Sequence, residues 1–363
     1  MSMPRPSSPA RVVNRDVIGG ARLLPQSWLG WGLVWGMFAG LALLPLVATP
    51  FYVGLLTTAM TAAMLALSLQ LLVGATGLVS LGHGAFYGLA AYVVYLLSPD
   101  GGAQPIWLTL PVAVAAAGLA AFLIGAISLR TKGFFFLMVT LAFGQLVYFV
   151  FHDTKLGGGT DGAYLAKPLL SAFGFTLDAT RLPRALRGVP VYYVALVQLV
   201  VMFGFLALLL RSMLGRVLDG IRINEGRMQA LGFNTYAYKL AAFTIAGALA
   251  GMAGHMWALQ SGFVNPELVG WHRSAEALLH ILLGGIGTLA GPIVGAFAYV
   301  FLDDVAQQIT ERKLLVEGVV ILVAVLLMRD GLTGLRWMRR GAVDEPDSAD
   351  ETVALQPRRD GRP

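Results

Sequence analysis

Apolar residues in this chain gather into long continuous runs that recur from residue 29 to residue 329, with no strand-like alternation and few narrow helical stripes. A helix rises about 1.5 Å per residue, so about 20 apolar residues cross the hydrocarbon core of a bilayer. The runs Leu29–Ala48, Tyr52–Val73 and Val191–Leu210 reach that length. The pattern predicts helices near 29–48, 51–73, 78–97, 107–128, 133–151, 190–210, 238–260, 274–288, 291–308 and 314–329. The expected fold is an all-α integral membrane protein with about ten transmembrane helices, including interrupted or re-entrant segments. The stretch 274–308 is long for one helix and short for two, and it carries Gly284, Gly285, Gly287, Gly291 and Pro292 in its middle, so two short spans or a re-entrant pair are expected there.

Composition supports this reading. Hydrophobic residues make up 57% of the chain and charged residues 13%, about half the charged fraction of a soluble protein. The net charge of +6, from 26 Lys and Arg against 20 Asp and Glu, sits mostly in tails and loops beside apolar runs. That distribution orients a membrane protein. It offers no basic face with interleaved aromatics for nucleic acid. The absence of cysteine excludes disulfides, thiolate chemistry and Cys-ligated zinc. Arg5, Arg11, Arg15 and Arg22 precede the first apolar run, but the run is too long for a signal peptide and no small-residue cleavage site stands out. It reads as an uncleaved helix with Trp28, Trp31 and Trp35 near the interface.

Basic loops fix the expected orientation. The N-terminal tail, the turn with Arg130 and Lys132, and the segment with Arg211, Arg216, Arg222 and Arg227 fall on one side, whereas loops 98–106 and 261–272 lack Lys and Arg. An even number of spans puts both termini in the cytoplasm. Segment 152–189 is basic although it must lie outside, but Asp153, Asp161 and Asp178 partly offset its charge, and long loops follow the rule weakly. Three regions are expected: a basic cytoplasmic tail over 1–28, a transmembrane domain over 29–330, and a disordered cytoplasmic tail over 331–363.

Two segments carry the candidate chemistry. In Val73–Gly88 five glycines, among them Gly74, Gly77, Gly82 and Gly84, interrupt an apolar span together with Ser80 and His83. Either these residues and their freed backbone groups face a translocation pathway, or they serve close helix packing with His83 satisfied by a neighbouring carbonyl. A gapped echo follows later: Gly74 and Gly77 precede a segment ending Ala91–Tyr92–Val93, and Gly284 and Gly287 precede one ending Ala298–Tyr299–Val300. Paired glycine-interrupted helices often mark a transport path. The second segment is 214–239, where Leu214, Val217, Ile221, Met228 and Leu231 recur at helical spacing, and Arg216, Asp219, Arg222, Glu225, Arg227 and Gln229 fall largely elsewhere. An amphipathic helix over about 215–231, ended by Gly232, either lies on the membrane or docks a soluble partner.

The remaining motifs are weaker. Gly157–Gly162 lacks the Lys-Ser/Thr of a phosphate loop and a preceding strand, and nothing in the chain fits a P-loop. Asp303, Asp304 and His280 suit no standard metal set, and no catalytic constellation is visible. Neither an enzyme nor a bound metal is expected.

The strings VGATGLVSLGHGAFYGLAAY (73–92), LRTKGFFFLMVTLAFGQ (129–145), GGTDG (158–162), GRVLDGIRINEGRMQALGFNTYAYKLAAFTIAGALAGMAG (215–254) and GGIGTLAGPIVGAF (284–297) resemble, in order, the permease family of ATP-binding-cassette importers for branched-chain amino acids. The resemblance is nearer to the member with the longer external loop. It implies a homologous partner permease, two cytoplasmic ATP-binding subunits that use ATP and Mg, and a periplasmic solute-binding protein in a bacterial inner membrane. It places the ATPase-coupling loop on Gly215–Gly232 and the broken helix on Ser80, Gly82, His83 and Gly84. Where such families commonly end in Pro-Arg-Gly-Leu, this chain has Met328, Arg329, Asp330, Gly331 and Leu332. Similar permeases serve urea and short amides. An ion-driven transporter is the rival class, for which His83, His255, Glu276 and His280 are the mid-span candidates.

Overall fold

The computed structural model describes residues 23–24, 28–98, 105–154, 156–165, 170–172, 175–177, 188–309, 318–319 and 322. Within them lie α1 (Trp28–Leu43), α2 (Pro50–Thr76), α3 (His83–Leu97), α4 (Ile106–Ser128), α5 (Phe134–Asp153), α6 (Val189–Arg211), α7 (Met213–Ile223), α8 (Glu225–Ala230), α9 (Thr235–Ser261), α10 (Trp271–Gly284) and α11 (Gly291–Ile309). Two short antiparallel pairs accompany them: β1 (Ala163–Tyr164) with β4 (Phe263–Val264), and β2 (Leu170–Ala172) with β3 (Phe175–Leu177). Helices α2, α4, α5, α6 and α9 are long and apolar enough to cross a membrane, and shorter apolar helices occupy 30–46 and 83–97. The chain is an all-α membrane protein.

Most expected spans reappear within a few residues; the differences fall at glycines. The span expected at 78–97 becomes helical only at His83, after a non-helical stretch, and the one expected at 274–288 stops at Gly284. The two short helices foreseen around Gly284–Pro292 are α10 and α11. The last expected span, 314–329, lies outside the described residues except for helical 318–319 and 322, as does the tail 331–363. Leu23 and Leu24, placed by sequence in the N-terminal tail, are buried, and Leu289 N–H donates to Leu23 O at 2.7 Å.

Helix α2 forms the axis, enclosed by α6, α9, α10 and α11. A helix apolar on every face belongs in such an interior. Its hydroxyls bond within the helix, Thr57 to Val53 O at 2.7 Å, Thr61 to Thr57 O at 3.0 Å and Thr76 to Leu72 O at 2.7 Å, and Thr61 Oγ1 also lies 3.3 Å from Gln260 Oε1 on α9. Gln70 does otherwise: its Nε2 donates to Ile286 O at 2.7 Å and Thr288 O at 3.2 Å, fastening the α10–α11 turn to α2. Gln70→Leu strips both carbonyls of their donor, and about 1–3 kcal/mol of stability should go with it. Thermal unfolding in detergent checks this, and an unchanged midpoint would contradict the fastening role.

Helices α3 and α4 pack on α9 through small residues. A Cβ at Gly247 would strike Ala121, one at Gly251 would strike Ala117, and one at Gly254 would strike Tyr87 O. Where lipid is as apolar as the side chains, close backbone approach supplies the attraction between helices. Helices α4 and α5 are only 28% and 22% buried along their apolar windows, so their outer faces meet lipid or another chain.

Candidate functional site

The break after α2 starts at Gly77, whose φ of 72° is the left-handed conformation that closes a helix without a Cβ penalty. Residues 77–82 then run without helical hydrogen bonding until α3 begins at His83. Such backbone survives at membrane depth only when protein or water covers it. Here α5 and α10 cover it. Leu81 N–H donates to Thr140 Oγ1 at 3.4 Å, Gly82 N–H to Ser80 Oγ at 3.3 Å, and Gly84 N–H to Ser274 Oγ at 2.7 Å. Thr140 O leaves no room for a Cβ on Gly82. Ser80 and His83 are fully buried, the His83 ring standing edge-on to Phe86 and Phe243 with centroids 5.6 and 6.4 Å away. His83 thus lies in aromatic packing between α3 and α9.

A second break separates α10 from α11. Gly284 ends α10 against the backbone of Gly291, Gly285 is buried with a φ of 106°, and Gly287 is exposed in the turn. The two glycine-bearing turns of the sequence echo are neighbours, joined by Gln70, which stands four residues before Gly74.

The expected single helix over 215–231 is two helices, α7 and α8, parted at Asn224. The Asn224 Oδ1 accepts from Arg227 N at 2.9 Å, an N-cap that starts α8 afresh. Val217, Leu218 and Ile221 turn inward toward α2, α6 and α9. Asp219, expected on the polar face, is buried one turn beyond the buried Gly215, whereas Arg216 and Arg227 are exposed. Arg222 reaches back to α2, and its Nη1 donates to Gly74 O. That carbonyl is one of the last four of α2, which have no partner inside their own helix. Gly232, with a φ of 85°, closes α8.

Glu225 pins α8 to α9. Its Oε1 lies 2.7 Å from Lys239 Nζ and accepts from Thr235 Oγ1 at 3.1 Å, while Gln229 Nε2 donates to Thr235 Oγ1 at 3.0 Å. Burial alone would raise the Glu225 carboxyl, but the bonded Lys239 ammonium and the Thr235 hydroxyl outweigh it and hold the group below its ordinary range. The pair's contribution is therefore complete above the ordinary carboxylate range and fades as pH falls through the lowered value. Between these elements opens a cavity of about 650 Å³ whose walls include Gly77, Val79, Lys132, Phe136, Glu225 and Lys239. The α2–α3 linker forms one wall and α8 another.

Residues 51–326 match the model of a family described as branched-chain amino acid transport system / permease component. The chain belongs to this family. The permease is 33% identical over 306 residues to the high-affinity branched-chain amino acid transport system permease protein LivM of Escherichia coli, covering 79% of this chain and 72% of that protein. It is 26% identical over 270 residues to the corresponding protein BraD of Pseudomonas aeruginosa, with 66% and 80% covered. A shorter similarity, 36% over 104 residues and 27% and 30% of the two chains, links the permease to the autoinducer 2 import system permease protein LsrC of Klebsiella pneumoniae. No solved structure matches it. The family match and the five long apolar helices together make the permease a multi-pass membrane protein.

Sequence reading missed Gln70, Lys239 and the Asn224 cap. Gln70 is the one amide in α2, and Asn224 precedes Glu225 in the manner of a helix start. Those signals were available.

Proposed function

We propose that this chain is one membrane subunit of an ATP-binding-cassette importer that carries branched-chain amino acids across the bacterial inner membrane. Its termini and helices α7 and α8 lie in the cytoplasm. It works with a second permease subunit, two ATP-binding subunits that consume ATP and Mg, and a periplasmic solute-binding protein; the chain itself supplies the path and none of the fuel. The observation that carries this reading is the bond from Arg222 on α7 to Gly74 O, immediately before the α2–α3 break. Motion imposed on α7–α8 by an ATP-driven partner pulls on the end of the axial helix and on the linker containing Ser80 and Gly82. The branched-chain cargo rests on the likeness to LivM and BraD.

The test is uptake of leucine into proteoliposomes that hold the complete complex, its binding protein and ATP. Uptake should require all of these and stop when the ATP-binding subunits are omitted. Leucine uptake that persists without them, driven by a proton or sodium gradient, would replace this mechanism with an ion-driven one.

A further inference from the structure

Helix α10, 14 residues long, carries a charged pair, Arg273 with Glu276, in its first turns. The 27 residues of α9 extend about 40 Å. Helix α3 meets α9 at Gly247, Gly251 and Gly254, from its midpoint onward, and α10 starts beside the first turn of α3. There Gly84 N–H donates to Ser274 Oγ at 2.7 Å, and a Cβ on Gly84 would stand 3.2 Å from that of Arg273. The first turns of α10 thus lie within the hydrocarbon depth, which is about 30 Å.

At that depth Arg273 Nη1 donates to Glu276 Oε2 at 2.9 Å. The guanidinium lies 5.2 Å over the ring of Trp257, which holds it in place, and the Tyr87 ring is 6.4 Å from Trp257. The pair is not sealed in the core: the two side chains keep 29% and 36% of their exposure. An ion pair open to acyl chains is costly, so charged groups at this depth turn toward a bundle interior or a watery path.

We propose that Arg273 and Glu276 form the recognition point for the two charges of an α-amino acid on the translocation path, the guanidinium receiving the carboxylate and the Glu276 carboxylate receiving the ammonium. This assignment rests on the proposed function and narrows its substrate class to zwitterions. Passage exchanges one ion pair for two and then restores the first, so the substrate is held by replacement of existing contacts and released the same way. Transit needs binding of this kind, favourable enough to enter and weak enough to leave. A neutral amide would have to part the pair while supplying neither charge.

The test uses the complete reconstituted complex with its binding protein and ATP. Glu276→Gln keeps the side-chain shape and an oxygen for Arg273 but removes the carboxylate; Arg273→Gln removes the cation. Each should lower leucine uptake at least tenfold in complexes that copurify a full set of ATP-binding subunits, and the exchanged double variant Arg273→Glu/Glu276→Arg should stay as low. If the exchanged variant regains uptake, or if Glu276→Gln transports at the native rate, the pair is only a structural tie and the assignment falls. Absence of leucine uptake by the native complex would instead remove the substrate reading on which it rests.

Discussion

Complexes carrying Arg222→Met are expected to hydrolyse ATP while importing leucine about tenfold more slowly. The substitution keeps the aliphatic stem that lies beside Gly77 but removes the donor to Gly74 O. A hydrogen bond from a charged group is worth about 1.5–3 kcal/mol, enough to account for a factor of ten or more if the bond is needed in the coupled state. Arg222→Lys should recover part of the loss, because an ammonium can still donate to one carbonyl though without the planar fork. Glu225→Gln alone should do less: its partner is the Lys239 ammonium and the pair is partly open to solvent, where such contacts contribute about 0–1 kcal/mol. Together the two changes remove the Glu225 tie of α8 to α9 and the Arg222 tie of α7 to α2. Uptake and ATP hydrolysis measured side by side on the double variant decide the matter, and native uptake would show that α7–α8 do not drive the break.

The coarse fold was readable because membrane solvation imposes a single strong rule, that a span must be long, apolar and internally hydrogen-bonded. That rule places α2, α6 and α9 almost unaided. It is silent where the chain breaks it. The run from Leu78 is largely apolar, yet it stays non-helical until His83, where Thr140 and Ser274 offer hydrogen-bond partners to Leu81 and Gly84 from distant parts of the chain. No local pattern records such partners. The same limit explains the coupling segment: its helical periodicity was visible, but whether Asp219 or Arg222 turns inward depends on where α2 ends. Arg222 was legible as a candidate for partner contact, and its bond to Gly74 O joins two segments read separately in the sequence. His83 was noticed because an ionisable residue in an apolar run stands out; only the placement of Phe86 and Phe243 shows it in aromatic packing. Arg273 escaped notice for the opposite reason, since it falls in a short polar stretch that resembles an ordinary helix start.

Two glycine substitutions that look equivalent in sequence should have opposite effects. Gly204 in α6 has nothing within 4 Å of where a Cβ would project, so Gly204→Ala should be neutral or slightly stabilising, alanine being the better helix former by about 1 kcal/mol. Gly254 in α9 faces Tyr87 O at a separation that admits no side chain. Relief by movement of α3 is blocked, because Gly84 is already closed in by Gly270 O and Gly88 by Val269. Gly254→Ala should therefore forfeit the helix-propensity gain and lose about 1–3 kcal/mol or more to overpacking. Unfolding midpoints of the purified variants in detergent should separate in that order, and a Gly254→Ala protein as stable as the parent would show that the α3–α9 crossing is looser than drawn. The crossing also sets where the Tyr87 and Trp257 rings meet beneath Arg273. A variant that folds with α3 displaced should consequently lose transport before it loses assembly, since the guanidinium would no longer be backed by Trp257 at the depth where the path must recognise its cargo.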